Sequence, residues 1–213
     1  LKNPRISGLY AITPDLEDTN ALLDKVRQLL KGGAQLIQYR NKLANDMLLL
    51  EQARLLLRLC RRCKIPLIIN DHVNLAAEID ADGVHVGQND ISVLDARKQL
   101  GRTKIIGASC YNSLDLALRA EKESADYIAF GAFFTSLTKP NAVSVPVNLM
   151  SQAKKKISIP MVGIGGIQLT NAKTVIQSGC AAVAVCHDVF YTENITATAA
   201  QYAQLFAEVV ERI

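Results

Sequence analysis

Short apolar runs alternate with stretches of helical periodicity along this chain, and that alternation restricts the fold more than any other feature. The apolar runs fall at 7–13, 35–40, 66–71, 83–87, 104–110, 127–134, 160–167 and 181–189. Each reads as a strand. Between them, apolar residues recur at helical spacing near 19–31, from 46 to about 63, in VNLAAEIDA, and near 92–100, 113–123, 147–156 and 170–178. A last helix begins at about 196. Strands joined through helices run parallel, because only a crossover brings the chain back in the same direction. Eight strand–helix pairs predict a single (β/α)8 TIM barrel over 1–213. An open doubly wound sheet is the alternative. It would want a G-x-G-x-x-G turn after its first strand, where this chain has TPDLEDTN.

Composition excludes several classes. Of 213 residues, 49% are apolar and 21% charged, as in ordinary globular domains. No apolar run has the length to span a bilayer, and LKNPRISGLY carries no signal-peptide core. A cytoplasmic enzyme with no membrane partner is expected. The net charge of +4 is dispersed, and Lys154-Lys155-Lys156 reads as a solvated helix end, so no nucleic-acid partner is expected. Small phosphorylated molecules suit such a modest positive balance. The sequence leaves a homo-oligomer open. Five cysteines, an odd count, fit a reducing compartment. Cys60 and Cys63 form a lone C-x-x-C without a second pair at zinc spacing, so they read as structural.

Barrel enzymes carry their chemistry at the C-terminal ends of the strands. Those ends hold Gln38-Tyr39-Arg40-Asn41-Lys42, Asn70-Asp71, Asp90, Ser109, Ser136-Leu137-Thr138-Lys139, Gly165-Gly166 and Cys186-His187. Asp71 and Asp90 follow successive strands. Two carboxylates on one rim suit a hard cation such as Mg2+, which often also holds a substrate phosphate. Each aspartate equally suits a helix cap. Arg40, Lys42 and Lys139 offer charge to a pyrophosphate, and Ser109 and Thr138 offer hydroxyls. His85, inside GVHVG, reads as a buried structural histidine rather than a catalyst.

The ordered set Gln38-x-Arg40-x-Lys42, Asn70-Asp71, ADGVHVGQND (81–90), Gly107-x-Ser109, Thr138-Lys139 and GIGGI (163–167) resembles the thiamine-phosphate synthase family. The resemblance implies a transferase. It would join hydroxymethylpyrimidine diphosphate to hydroxyethylthiazole phosphate, or its carboxylated form, releasing pyrophosphate. It implies that Gln38, Tyr39, Arg40, Lys42, Asn70, Ser109 and Lys139 bind the pyrimidine diphosphate, with Lys139, Ser109 and Arg40 catalytic. Asp71 and Asp90 would hold Mg2+. Ser136, Leu137, Thr138, Gly166, Cys186 and His187 would bind the thiazole phosphate. Asn41 stands where the family usually has Glu, Ser136 where it has Thr, and Cys186-His187 where a small apolar residue precedes Ser. Two other readings are a thiazole tautomerase-like paralogue, which needs no diphosphate–metal site, and a non-catalytic ligand-binding regulator.

Overall fold

In the computed structural model, which describes residues 6–135 and 145–210, the strands close into one parallel barrel in the order β1 to β8. The elements are β1 (Gly8–Ile12), α1 (Thr19–Lys31), β2 (Leu36–Tyr39), α2 (Asp46–Cys63), β3 (Leu67–Asn70), α3 (Val73–Glu78), β4 (Gly83–Val86) and α4 (Val93–Leu100). They continue as β5 (Ile105–Tyr111), α5 (Leu114–Lys122), β6 (Tyr127–Phe130), α6 (Val147–Lys156), β7 (Met161–Ile164), α7 (Leu169–Gln177), β8 (Ala182–Val185), α8 (His187–Phe190) and α9 (Ile195–Val210). β1 pairs with both β2 and β8, which closes the ring and leaves no sheet edge. This is the predicted (β/α)8 architecture.

Alternation along each strand sorts side chains between two cores. Leu9, Ala11, Ile37, Tyr39, Leu67, Ile69, Val84 and Ile106 face the helices. Tyr10, Ile12, Leu36, Ile68, Ile105, Tyr127, Ala129, Val162, Ala182 and Ala184 fill the barrel interior. Helix starts follow from their caps: Asp18, Asn45, Ser92 and Ser113 each accept a backbone N–H of the first turn. No helix among the described residues is long and apolar enough to cross a membrane.

Three strand ends differ from the sequence reading. The apolar run 181–189 is strand only over Ala182–Val185 and then turns into α8, with Cys186 as its N-cap. A continuous apolar run does not separate a buried strand from a buried helical turn. Likewise β6 stops at Phe130 and β7 at Ile164, after which Gly165 and Gly166 take positive φ. A Cβ at Gly166 would lie 2.4 Å from the Thr135 carbonyl oxygen. Only glycine permits that approach between two rim loops.

Candidate active site

The C-terminal rim begins with a clasp between β1 and β2. Thr13 Oγ1 donates to the Arg40 carbonyl at 2.8 Å, and the Arg40 N–H donates back to Thr13 Oγ1 at 2.9 Å. Arg40 Nη1 reaches both oxygens of Asp15, at 3.0 and 3.2 Å, and the Lys42 N–H donates to Asp15 Oδ1. Asp15 therefore aims the Arg40 guanidinium and shapes the Arg40–Lys42 turn. Its place in the loop after β1 gave no motif signal. The charges of both Arg40 and Asp15 are felt at Cys186, which puts the end of β8 beside this pair. Burial pushes the Cys186 thiol up to about 11, so it is not a thiolate at neutral pH.

Gln38 and Tyr39 part company. Gln38 points into the barrel, whereas Tyr39 is buried against the helices and donates from its hydroxyl to Gln52 Oε1 at 2.8 Å. Its phenol faces the helix layer, so a rim ligand would meet only its backbone. Alternation in β2 requires this once Gln38 points inward. Asn41 is also turned into the protein. It donates to the Leu16 carbonyl and Gln52 Oε1, which ties the β1 loop to α2.

Asp71 follows β3 with φ 63°, a left-handed conformation that Asp tolerates better than most residues. Its N–H donates to the His85 carbonyl at 2.9 Å and its carbonyl accepts from Val73 at 3.1 Å. These bonds hold the carboxyl beside Asp90, which lies in the turn after β4 and accepts the Gly87 N–H at 2.8 Å. Burial, then the Asp90 charge, hold the Asp71 carboxyl above the ordinary carboxylate range; Lys42 and Asn70 oppose the shift. Lys42 Nζ stands 3.7 Å from Asp71 Oδ2. Neither aspartate caps the next helix: α3 starts with no side-chain cap bond and α4 is capped by Ser92. Among the described residues no group of three or more His, Cys, Asp or Glu gathers; Asp71 and Asp90 bring two hard oxygen donors together.

Below the rim runs a buried polar chain that the sequence reading missed. Gln38 Nε2 donates to Tyr10 Oη at 2.8 Å, and Tyr10 Oη lies 2.7 Å from Tyr127 Oη. Tyr127 Oη lies 2.9 Å from His85 Nδ1, and His85 Nε2 lies 2.8 Å from Ser109 Oγ. His85 is buried, as expected, but it touches a predicted ligand residue. Burial lowers its pKa to about 4 against a small opposing pull from Asp90, so the ring is neutral near pH 7. The missed signal was parity: Tyr10 and Tyr127 are polar-tipped residues at inward positions of barrel strands.

Gly166 and Cys186 lie on the rim, and no backbone carbonyl among the described residues accepts from the N–H of Gly166, Cys186 or His187. The exposed His187 ring stacks on Tyr191 with centroids 4.9 Å apart. Ser136, Leu137, Thr138 and Lys139 lie outside the described residues. Cys60 is buried in the helix-facing core and Cys63 is exposed. A hollow of about 310 Å³ between Arg61, Lys64, Asp82 and Lys104 opens at the opposite, N-terminal end of β3–β5, away from these groups.

The family model for thiamine monophosphate synthase matches residues 9–189. A thiamine-phosphate synthase of Nitrosomonas eutropha is 51% identical over 202 residues, covering 95% of both chains. One of Nitrosospira multiformis is 50% identical over 201 residues, covering 94% of this chain and 86% of the relative. The solved structure of a thiamine phosphate pyrophosphorylase from Pyrococcus furiosus superposes with a TM-score of 0.85 at 32% identity, covering 95% of this chain and 96% of the other. The match runs from β1 through the end of β8 and so takes in every rim residue described above: this chain belongs to the thiamine monophosphate synthase family.

Proposed function

We propose that this chain is a thiamine-phosphate synthase, joining hydroxymethylpyrimidine diphosphate to hydroxyethylthiazole phosphate, with Mg2+ held by Asp71 and Asp90. The observation that carries the reading is the paired carboxylates, with Lys42 beside them and Ser109 on the neighbouring β5. Burial and the Asp90 charge raise the proton affinity of Asp71, a strain that a bound cation would relieve, and the oxygens of the two residues suit a hard one. When bound, Mg2+ supplies positive charge to the diphosphate and makes pyrophosphate a better leaving group.

The chain's own residues do the rest. Lys42, Arg40 and Lys139 offset charge on the diphosphate, Ser109 and Asn70 donate hydrogen bonds, and Gln38 reads the edge of the pyrimidine. The assignment of Lys139 and of Ser136–Thr138 rests on the resemblance. The C–O bond breaks with its electron pair going to pyrophosphate, which leaves a pyrimidinylmethyl cation. The thiazole nitrogen donates its lone pair to that carbon. No protein nucleophile is required, so catalysis consists of positioning and of charge stabilisation. The backbone N–H groups of Gly166, Cys186 and His187 bind the thiazole phosphate. Substrates are thus small phosphorylated molecules, and the cytoplasm is where they would be met.

Purified protein given both substrates and Mg2+ is expected to release thiamine phosphate and pyrophosphate. Asp90→Ala is expected to lose most of that activity while keeping its fold; full activity in a chelator would refute the metal assignment. Lys139→Ala should lower kcat by about 10²-fold or more, the scale of one lost oxyanion donor. A change in KM alone would make it a binding residue. Conversion of the thiazole phosphate alone, without thiamine phosphate, would identify a tautomerase.

A further inference from the structure

We infer that Tyr127 is a positioning residue: through His85 it obliges Ser109 to present its hydroxyl proton, rather than its lone pairs, to the rim. The inference rests on the reading of Ser109 as a diphosphate ligand.

The direction follows from the ends of the buried chain. Gln38 Nε2 carries only donors, so Tyr10 Oη accepts from it at 2.8 Å. Tyr10 then turns its own proton to Tyr127 Oη at 2.7 Å, and Tyr127 turns its proton to His85 Nδ1 at 2.9 Å. Nδ1 must then be bare, and a neutral imidazole carries its proton on the other nitrogen. Nε2–H donates to Ser109 Oγ at 2.8 Å. With one lone pair of Ser109 engaged by the ring, its proton points away from the ring and toward the partly exposed side of the residue.

The opposite direction fails at one end or the other. If Ser109 donated to His85, Tyr127 would donate to Tyr10, and Tyr10 would receive from both Gln38 and Tyr127. The Tyr10 proton, on a residue 1% exposed, would have no acceptor. An orphaned buried donor is unfavourable, and buried polar groups are paired in the great majority of cases. Turning the Gln38 amide end for end would supply that acceptor, but Ser109 would then meet a polyanion with lone pairs. A diphosphate selects the direction that offers it a donor. The ring stack of Tyr127 on His85, with centroids 5.5 Å apart, keeps both nitrogens in line with their partners.

The test reads the His85 tautomer by 15N NMR of histidine-labelled protein, with the signals of His72 and His187 assigned by substitution. Wild type should show the Nε2–H form, and Tyr10→Phe should keep it, because Tyr127 still donates to Nδ1. Tyr127→Phe leaves Nδ1 without a partner in either tautomer, so it should release the bias and give a mixture of the two forms. It should also lower kcat about tenfold, the value of one lost hydrogen bond of about 1.4 kcal/mol, with little change in KM. An Nδ1–H ring in wild type, or an unchanged tautomer or kcat in Tyr127→Phe, overturns the inference. Should Tyr127→Phe not fold, His85→Gln and His85→Asn replace it: the Gln amide nitrogen stands near the position of Nε2 and that of Asn near Nδ1. His85→Gln should retain more activity, and the reverse order would overturn the proposal. The tautomer is read without turnover, so absence of thiamine-phosphate synthesis in wild type would count against the proposed function and not against the tautomer.

Discussion

Gly107 and Tyr127 occupy one space, and replacing the glycine by alanine should force the tyrosine out of it. Gly107 lies on β5 with its missing side chain directed into the barrel. A Cβ there would sit 2.0 Å from Tyr127 Cζ, 2.3 Å from its hydroxyl oxygen and 2.4 Å from Cε1. Carbon atoms rest at about 3.5 Å or more, so the ring must retreat by roughly 1.5 Å. It is wholly buried, stacked on His85 and edge-on to Tyr10, so the retreat displaces both neighbours. A shift of that size breaks its hydroxyl bonds at 2.7 and 2.9 Å. Overpacking of a core costs about 1–3 kcal/mol. Two net hydrogen bonds add about 1 kcal/mol each. Gly107→Ala should therefore destabilise by about 3–5 kcal/mol. Urea unfolding monitored by circular dichroism would read this as a lower midpoint with an unchanged slope. Because the cause is one contact, Tyr127→Leu should cost less in the Gly107→Ala background than in wild type. Wild-type stability in Gly107→Ala, or additive costs in the double variant, would refute the argument.

Other expectations concern histidine and charge. The folded pKa of His85, about 4, lies below the unfolded value near 6.5. The unfolded chain therefore binds the extra proton first, and stability present above pH 6.5 is lost as pH falls toward 4, by at most about 3 kcal/mol. His85→Gln should flatten that slope in urea titrations between about pH 7 and 4; equal slopes would refute it. His187 stacks on Tyr191, with Lys25 Nζ 5.9 Å from the same ring, so its backbone and not its imidazole should serve a bound phosphate. Calorimetric affinities for the thiazole phosphate in wild type and His187→Ser should then run parallel between about pH 6 and 8, the range where an unperturbed histidine titrates. Diverging curves would place the ring on the ligand.

The order of strands and helices was legible because it is written in local periods. An apolar alternation or a helical stripe survives in one dimension, and parallel strands joined by helices leave few ways to close. The rim was legible for the same reason: once Asn70 ends β3 and Val86 ends β4, Asp71 and Asp90 follow at the same end of the barrel. Tertiary structure decided the rest. Whether Gln38 or Tyr39 faces the interior depends on strand register, and a one-residue slip would exchange them. Asp15 engages Arg40 across 25 positions, and Tyr10 meets Tyr127 across 117, so neither pairing has a sequence spacing to read. His85 reads from the sequence as a buried histidine, and it is buried. That it bonds Ser109 at one nitrogen and Tyr127 at the other follows only from barrel closure, which sets β4, β5 and β6 side by side and brings β1 within reach of β6 across the interior.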